Sequence, residues 1–235
     1  LLSVKITDVN KHRTPYFSFG CHFDERRVFS KSPYRGLCLA YLKVEQSFND
    51  FTRSGFSRLL KLFEDDTDSV VKLTKAFALA NKLHKNQLLN KAEPYINHPL
   101  RVALILAEEL HMRDIELLEA AILHDAADSD QLYEQIKEEC GERTSAIVRA
   151  AAEPKSKSEE KMLEDYYSKI SKESKEVRYI ILAERLDTAR SMKNFAYKDR
   201  MLRFKDEAEK YVMPIARITD ERMVFKLSIA VYEIR

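Results

Sequence analysis

The chain has no tryptophan and only four glycines and six prolines among its 235 residues. So few chain-breaking residues leave little room for tight turns and point to long helices. Its three cysteines, Cys21, Cys38 and Cys140, are an odd number without metal-ligand spacing. They read as reduced thiols in structural roles, in a reducing compartment, and they exclude a disulfide scaffold. No apolar run reaches membrane-spanning length, so no membrane partner is expected. Charge of one sign is also missing: 40 Lys and Arg are interspersed with 38 Asp and Glu, for a net +2. That balance gives no reason to expect a nucleic-acid partner. The start, Leu1-Leu2-Ser3-Val4-Lys5, lacks both a signal-peptide apolar region and an initiator Met. It reads as a processed chain or a fragment, with a cytoplasmic location expected, or an organelle if a targeting segment has been removed.

What is present divides in two. Residues 1–64 hold three of the four glycines and most of the phenylalanines, with β-prone runs at Tyr16-Phe17-Ser18-Phe19 and Arg27-Val28-Phe29. This part reads as an N-terminal extension of uncertain structure. Residues 65–235 have a helical texture, and the expected fold is an all-α bundle with one core. Asp68 or Ser69 caps a predicted helix from Val70 to about Leu89. Pro99 suits the first turn of a second helix, reaching about His111, and Asp114 caps a third ending at His124-Asp125. Further helices are predicted at 130–139 (closed by Gly141), 142–152, 158–170, 174–193, 198–213 and 219–234.

The chemistry concentrates in two stretches, Pro94-Tyr95-Ile96-Asn97-His98-Pro99 and Ala121-Ile122-Leu123-His124-Asp125. An adjacent His-Asp pair at the end of an apolar helix buries two polar groups needlessly unless they bind something. With a second His one helix upstream, the set supplies N and O ligands that suit Mn, Fe, Zn or Mg. Four positions can close around one ion if the helices at 113–126 and 174–193 cross: His98, His124, Asp125 and Glu184. Asp128, three residues beyond Asp125, can orient or deprotonate a water acidified by the metal. His84 and His111 read as packed or surface residues rather than ligands.

These motifs bring a family into view. Residues 70–193 resemble the HD-type hydrolase domain of the RelA/SpoT alarmone enzymes, most closely the small hydrolase-only kind. The matching residues are His84-Lys85-Asn86-Gln87, Glu93-Pro94-Tyr95-Ile96-Asn97-His98-Pro99, Ala120-Ala121-Ile122-Leu123-His124-Asp125 and Leu182-Ala183-Glu184-Arg185-Leu186-Asp187-Thr188. The resemblance implies an all-helical HD domain and a Mn-type divalent ion. It further implies removal of the 3′-pyrophosphate from guanosine polyphosphates such as ppGpp.

The departures from the family pattern fall at functional positions. The metal-binding Asp of Leu-Ala-Asp-Arg-Leu is Glu184, and the catalytic Glu-Asp pair is Asp128-Ser129. A substrate-contacting Arg-Lys pair falls on Leu89 and Asn90, with Lys91 next to it. The nucleoside-contacting Asn is Thr188, Arg185 keeps its family type and is expected with Asn90, Lys91 and Thr188 to bind substrate, and a Lys of the pattern is Ile181. The resemblance therefore implies a retained metal site with a weakened phosphate clamp, acting on (p)ppGpp slowly or on a related phosphorylated nucleotide. The alternative is a catalytically degenerate alarmone-binding or regulatory protein.

Overall fold

The computed structural model describes residues 48–89, 93–126, 129–153, 160–192 and 198–234. The β-prone runs before residue 48 lie outside the described residues. So do Asn90, Lys91 and Asp128.

The helical body begins upstream of residue 65. Helix α1, Asp50–Lys61, is capped by Asn49, whose side chain accepts from the Thr52 amide at 2.8 Å. Phe56, Leu59 and Leu60 on its inner face are fully buried. Thr52, Ser54 and Gly55 dilute the apolar pattern, which hides this helix in the sequence. Gly55 is there for contact: a Cβ at this position would sit 3.1 Å from Leu100 Cδ2 on the helix packed against it.

Helix α2, Thr67–Leu83, is capped by Asp66 through the Ser69 amide, and it stops six residues before the predicted Leu89. Asn86 turns the chain with a left-handed φ of 66°. Leu88-Leu89 then forms β1, paired antiparallel with β2, Glu93-Pro94. Helix α3, Asn97–Leu104, carries Pro99 in its first turn and runs into a π turn at Ile105–Glu109. Helix α4, Ile115–Leu123, is capped by Asp114 as predicted.

The next four helices lie within two residues of expectation. They are α5 (Asp130–Cys140), α6 (Glu142–Ala151), α7 (Glu160–Lys172) and α8 (Lys175–Met192). The helix expected at 198–213 is instead α9 (Lys198–Glu207), a π turn at Ala208–Val212, and α10 (Met213–Arg217). Pro214 has no amide hydrogen for a bond one turn back, and the π turn falls just before it. Helix α11 spans Glu221–Tyr232.

Helices α4 and α8 form the centre. Helix α4 packs against α2, α3, α6 and α8, and α8 packs against α3, α6, α10 and α11. A helix that is apolar all round belongs inside, and Leu118, Ala120, Ala121, Ile122 and Leu123 of α4 are all fully buried. In α8, Ile180, Leu182, Ala183, Leu186 and Ala189 are fully buried, and Ile181 nearly so. Two helices held this tightly make a rigid mount for whatever their polar side chains carry.

Candidate metal centre

Three elements deliver the polar side chains. The first is the start of α3. There Asn97, fully buried, accepts from Thr52 Oγ1 at 2.6 Å and donates to Glu93 Oε2 at 3.1 Å. Those bonds lock the first turn and set the direction of His98. The second element is the end of α4, where the helix runs out at His124 and Asp125. The third is the face of α8 bearing Glu184, Asp187 and Thr188.

His98, His124 and Asp125 each offer a ligand atom within 4.8 Å of the other two. The hydrogen bonds assign the proton on each imidazole. His124 Nδ1 lies 2.8 Å from the Ala121 carbonyl, an acceptor only, so Nδ1 carries the hydrogen. Its Nε2 lone pair is buried without a hydrogen-bond partner among the described residues. His98 Nδ1 lies 2.7 Å from Asp187 Oδ2. The Nε2 atoms of His98 and His124 face Asp125 Oδ2 at 3.6 and 3.4 Å. The same oxygen accepts from the Tyr95 hydroxyl at 2.8 Å.

The electrostatics suit a cation. Burial pushes the His124 imidazole down, so it is neutral and its lone pair is available. Burial also pushes the Asp125 carboxyl up, but His124, His98 and the Tyr95 hydroxyl outweigh it and hold it at about 2. Tyr95 is raised by burial and by Asp125, so it stays a hydroxyl donor. Two imidazoles and an ionised carboxylate, with the buried Nε2 of His124 aimed among them, fit a divalent ion of the Mn or Zn type. Asp125, with its side chain 30% exposed, faces a cleft of about 260 Å³.

The structure places the other expected residues unequally. Glu184 lines the same cleft but is not one of the three converging ligands. Its Oε1 accepts from Thr188 Oγ1 at 3.0 Å, and its Oε2 lies 2.8 Å from Arg185 Nε. Thr188 also lines the cleft, as does Leu89 from β1. Arg185, expected as a substrate contact, also lines the cleft. Its side chain is 5% exposed and is held by Glu153, by Glu184 and, at 3.5 Å, by Glu207, so its charge is spent inside the protein. Ser129 is exposed and caps α5, its Oγ accepting from the Leu132 amide at 3.4 Å.

His84 is a packed residue, as expected. Its ring lies 4.7 Å from that of Tyr95, and Nδ1 is 3.0 Å from Gln87 Oε1. His111 sits exposed in a left-handed turn at φ 58°. Cys140 is a free thiol pushed up to about 12 by burial, consistent with a structural role. Two site residues went unassigned in the sequence. Tyr95 was signalled by its place in the Tyr-Ile-Asn-His-Pro run. Asp187 was signalled only by standing three residues after Glu184, on the same helical face.

The chain is similar to known proteins in sequence and fold. Residues 76–217, more than half of the chain, match the HD domain family. A guanosine-3′,5′-bis(diphosphate) 3′-pyrophosphohydrolase of Aquifex aeolicus is 36% identical over 162 residues, covering 67% of this chain and 23% of the relative. The enzyme of the same name called MESH1 in Danio rerio is 36% identical over 91 residues, 37% of this chain and 51% of the relative. The chain thus spans about half or less of these two relatives. A solved structure of a metazoan SpoT ortholog, described as hydrolysing ppGpp, superposes with a TM-score of 0.63 at 25% identity, covering 69% of this chain and 94% of that one. By this match and by the site it frames, the chain belongs to the HD domain family.

Proposed function

We propose that the protein is a metal-dependent phosphohydrolase acting on a guanosine polyphosphate or a related phosphorylated nucleotide. The observation that carries the reading is the convergence of His98, His124 and Asp125, with ligand atoms within 4.8 Å of one another, beside a cleft that His98 and Asp125 line. His98, His124 and Asp125 hold the ion, and Glu184 supplies a further carboxylate from the cleft wall. Manganese is the assigned ion, on the strength of the family resemblance and the mixed N and O donor set. When bound, such an ion polarises a phosphoryl oxygen and lowers the pKa of a water.

The chain's own residues do the rest. Tyr95 fixes the orientation of the Asp125 carboxylate through its hydroxyl. Asp128 serves as the acid–base carboxylate. Thr188 contacts the substrate from α8, and Asn90 and Lys91 are assigned to substrate binding on the family resemblance. Leu89 stands in the cleft lining where the family pattern has an arginine. That exchange removes a charge-assisted phosphate contact and supports slow turnover of a polyphosphate.

The test is a hydrolysis screen with Mn²⁺ over ppGpp, pppGpp and simple nucleotides. The reading expects Mn-dependent release of phosphate or pyrophosphate that His124→Ala abolishes. Activity that persists in His124→Ala, or no turnover of any nucleotide with any divalent ion, would overturn it.

A further inference from the structure

The family pattern leaves position 187 open, yet this chain places an aspartate there, 3% exposed in the centre of the bundle. A buried carboxylate is costly unless its oxygens are satisfied. Both are. Oδ2 lies 2.7 Å from His98 Nδ1, and Oδ1 accepts from Arg101 Nε at 2.7 Å. Arg101 is itself anchored, donating through Nη1 to both oxygens of Glu93 at 3.0 and 3.2 Å.

From this geometry we infer that Asp187 is a positioning residue that decides which nitrogen of His98 carries the proton. The inference rests on the metal reading of His98. An ionised carboxylate only accepts, so Nδ1 must donate to it. A neutral imidazole has one N–H, and Nε2 is therefore left as a lone pair directed at the cleft. The 3.6 Å from Nε2 to Asp125 Oδ2 is too long for a hydrogen bond, in keeping with that tautomer. Arg101 is the second half of the device. It is a donor only, so it holds Oδ1 as an acceptor and prevents the carboxylate from turning toward the ion. The result is a carboxylate–histidine pair behind the ligand, of the kind that raises a metal-bound histidine's basicity.

Asp187→Asn makes the inference sharp, because it changes no volume. Arg101 Nε still demands an acceptor, so the amide carbonyl must face Arg101 and the amide N–H must face His98. Nδ1 must then accept, and the proton moves to Nε2, the nitrogen that would bind metal.

The experiment is a two-bond ¹H–¹⁵N correlation of the His98 ring in the metal-free full chain, at about pH 8 where imidazoles are neutral. Wild type should show a protonated Nδ1 and a bare Nε2, and Asp187→Asn should show the reverse. Mn²⁺ titration by calorimetry should then give a Kd raised by about 10- to 100-fold in Asp187→Asn. A wild-type His98 protonated at Nε2, or a variant with unchanged tautomer or unchanged Kd, would overturn the inference. If wild type binds no Mn²⁺ at all, the metal reading fails separately, and the tautomer in the metal-free chain still decides the role of Asp187.

Discussion

Tyr95 donates its hydroxyl to Asp125 Oδ2 at 2.8 Å, the very oxygen that both histidine Nε2 atoms face. The tyrosine comes from the turn before α3 and the aspartate from the end of α4. A ligating carboxylate held by such a donor keeps one orientation instead of rotating. Tyr95→Phe should raise the Mn²⁺ Kd by about tenfold, while the melting transition moves by no more than the roughly 1 kcal/mol of one hydrogen bond. Calorimetry and thermal melts measure the two separately. An unchanged Kd would mean that Asp125 is either not a ligand or is oriented by something else.

Glu184 is the second test of the metal set. Its carboxylate already has Thr188 and Arg185 as neighbours, so binding an ion requires it to turn away from them. Glu184→Gln keeps the length and the Thr188 contact but removes the charge. We expect Mn²⁺ affinity to fall by about tenfold, the weight of one charge-assisted contact. Equal affinity in the variant would leave His98, His124 and Asp125 as the complete protein ligand set.

Much of this was legible in the sequence because the signals are local. Asp114 before an apolar run and Gly141 after α5 mark helix ends by the hydrogen bonds those residues make or permit. Seven of the nine residues of α4 are apolar, which suits its central place. His98, His124 and Asp125 were readable because their residue types make little sense unbound. Asp187 was not, since its partners His98 and Arg101 lie 89 and 86 residues upstream and only the fold brings them together. The same holds for Arg185, whose fate is decided by Glu153 and Glu207 from other segments. Ser129 shows the opposite case. A serine directly before the helix at Asp130 has a strong local use as a cap, which the family pattern does not display. Helix α2 overran because the turn at Asn86 is paid for by a hairpin that the sequence does not display.

Glu119 gives a pH prediction independent of the site. It lies on α4, 1% exposed, with Thr144 Oγ1 donating to it at 3.1 Å. Burial raises its carboxyl to about 7, against the lowering pull of Thr144 and Lys72. The folded pKa is therefore above the unfolded one, and the folded state holds the extra proton between about pH 4.5 and 7. Stability should fall as pH rises through that window and level off above it. The loss is at most about 3 kcal/mol, and less where water reaches the carboxyl. Glu119→Gln keeps the hydrogen bond from Thr144 and cannot ionise, so its advantage over wild type should grow from pH 5 to pH 7. Denaturant melts of both proteins at several pH values measure it. Parallel pH profiles would show that Glu119 does not titrate in this window.

The last prediction concerns rate. Two features of the chain disfavour fast hydrolysis of ppGpp: Leu89 and Asn90 where the family pattern has Arg-Lys, and Asp128-Ser129 where it has Glu-Asp. Leu89 lines the cleft, so an arginine there has a path to a bound phosphate. A misplaced or missing acid–base carboxylate typically costs 10²–10⁴-fold in kcat. A lost cation–phosphate contact adds about 1–3 kcal/mol to substrate binding, which appears in KM. Leu89→Arg with Asn90→Lys should therefore lower KM for ppGpp with little change in kcat, and Asp128→Glu with Ser129→Asp should raise kcat. The four together should raise kcat/KM by several orders of magnitude. Ser129→Asp should leave folding unchanged, because aspartate replaces serine well as the cap of α5. Steady-state kinetics with Mn²⁺ on the wild type and both double variants measure the split. A wild type already as fast as the combined variant would show that these exchanges are not losses, and that the cleft handles the polyphosphate by another route.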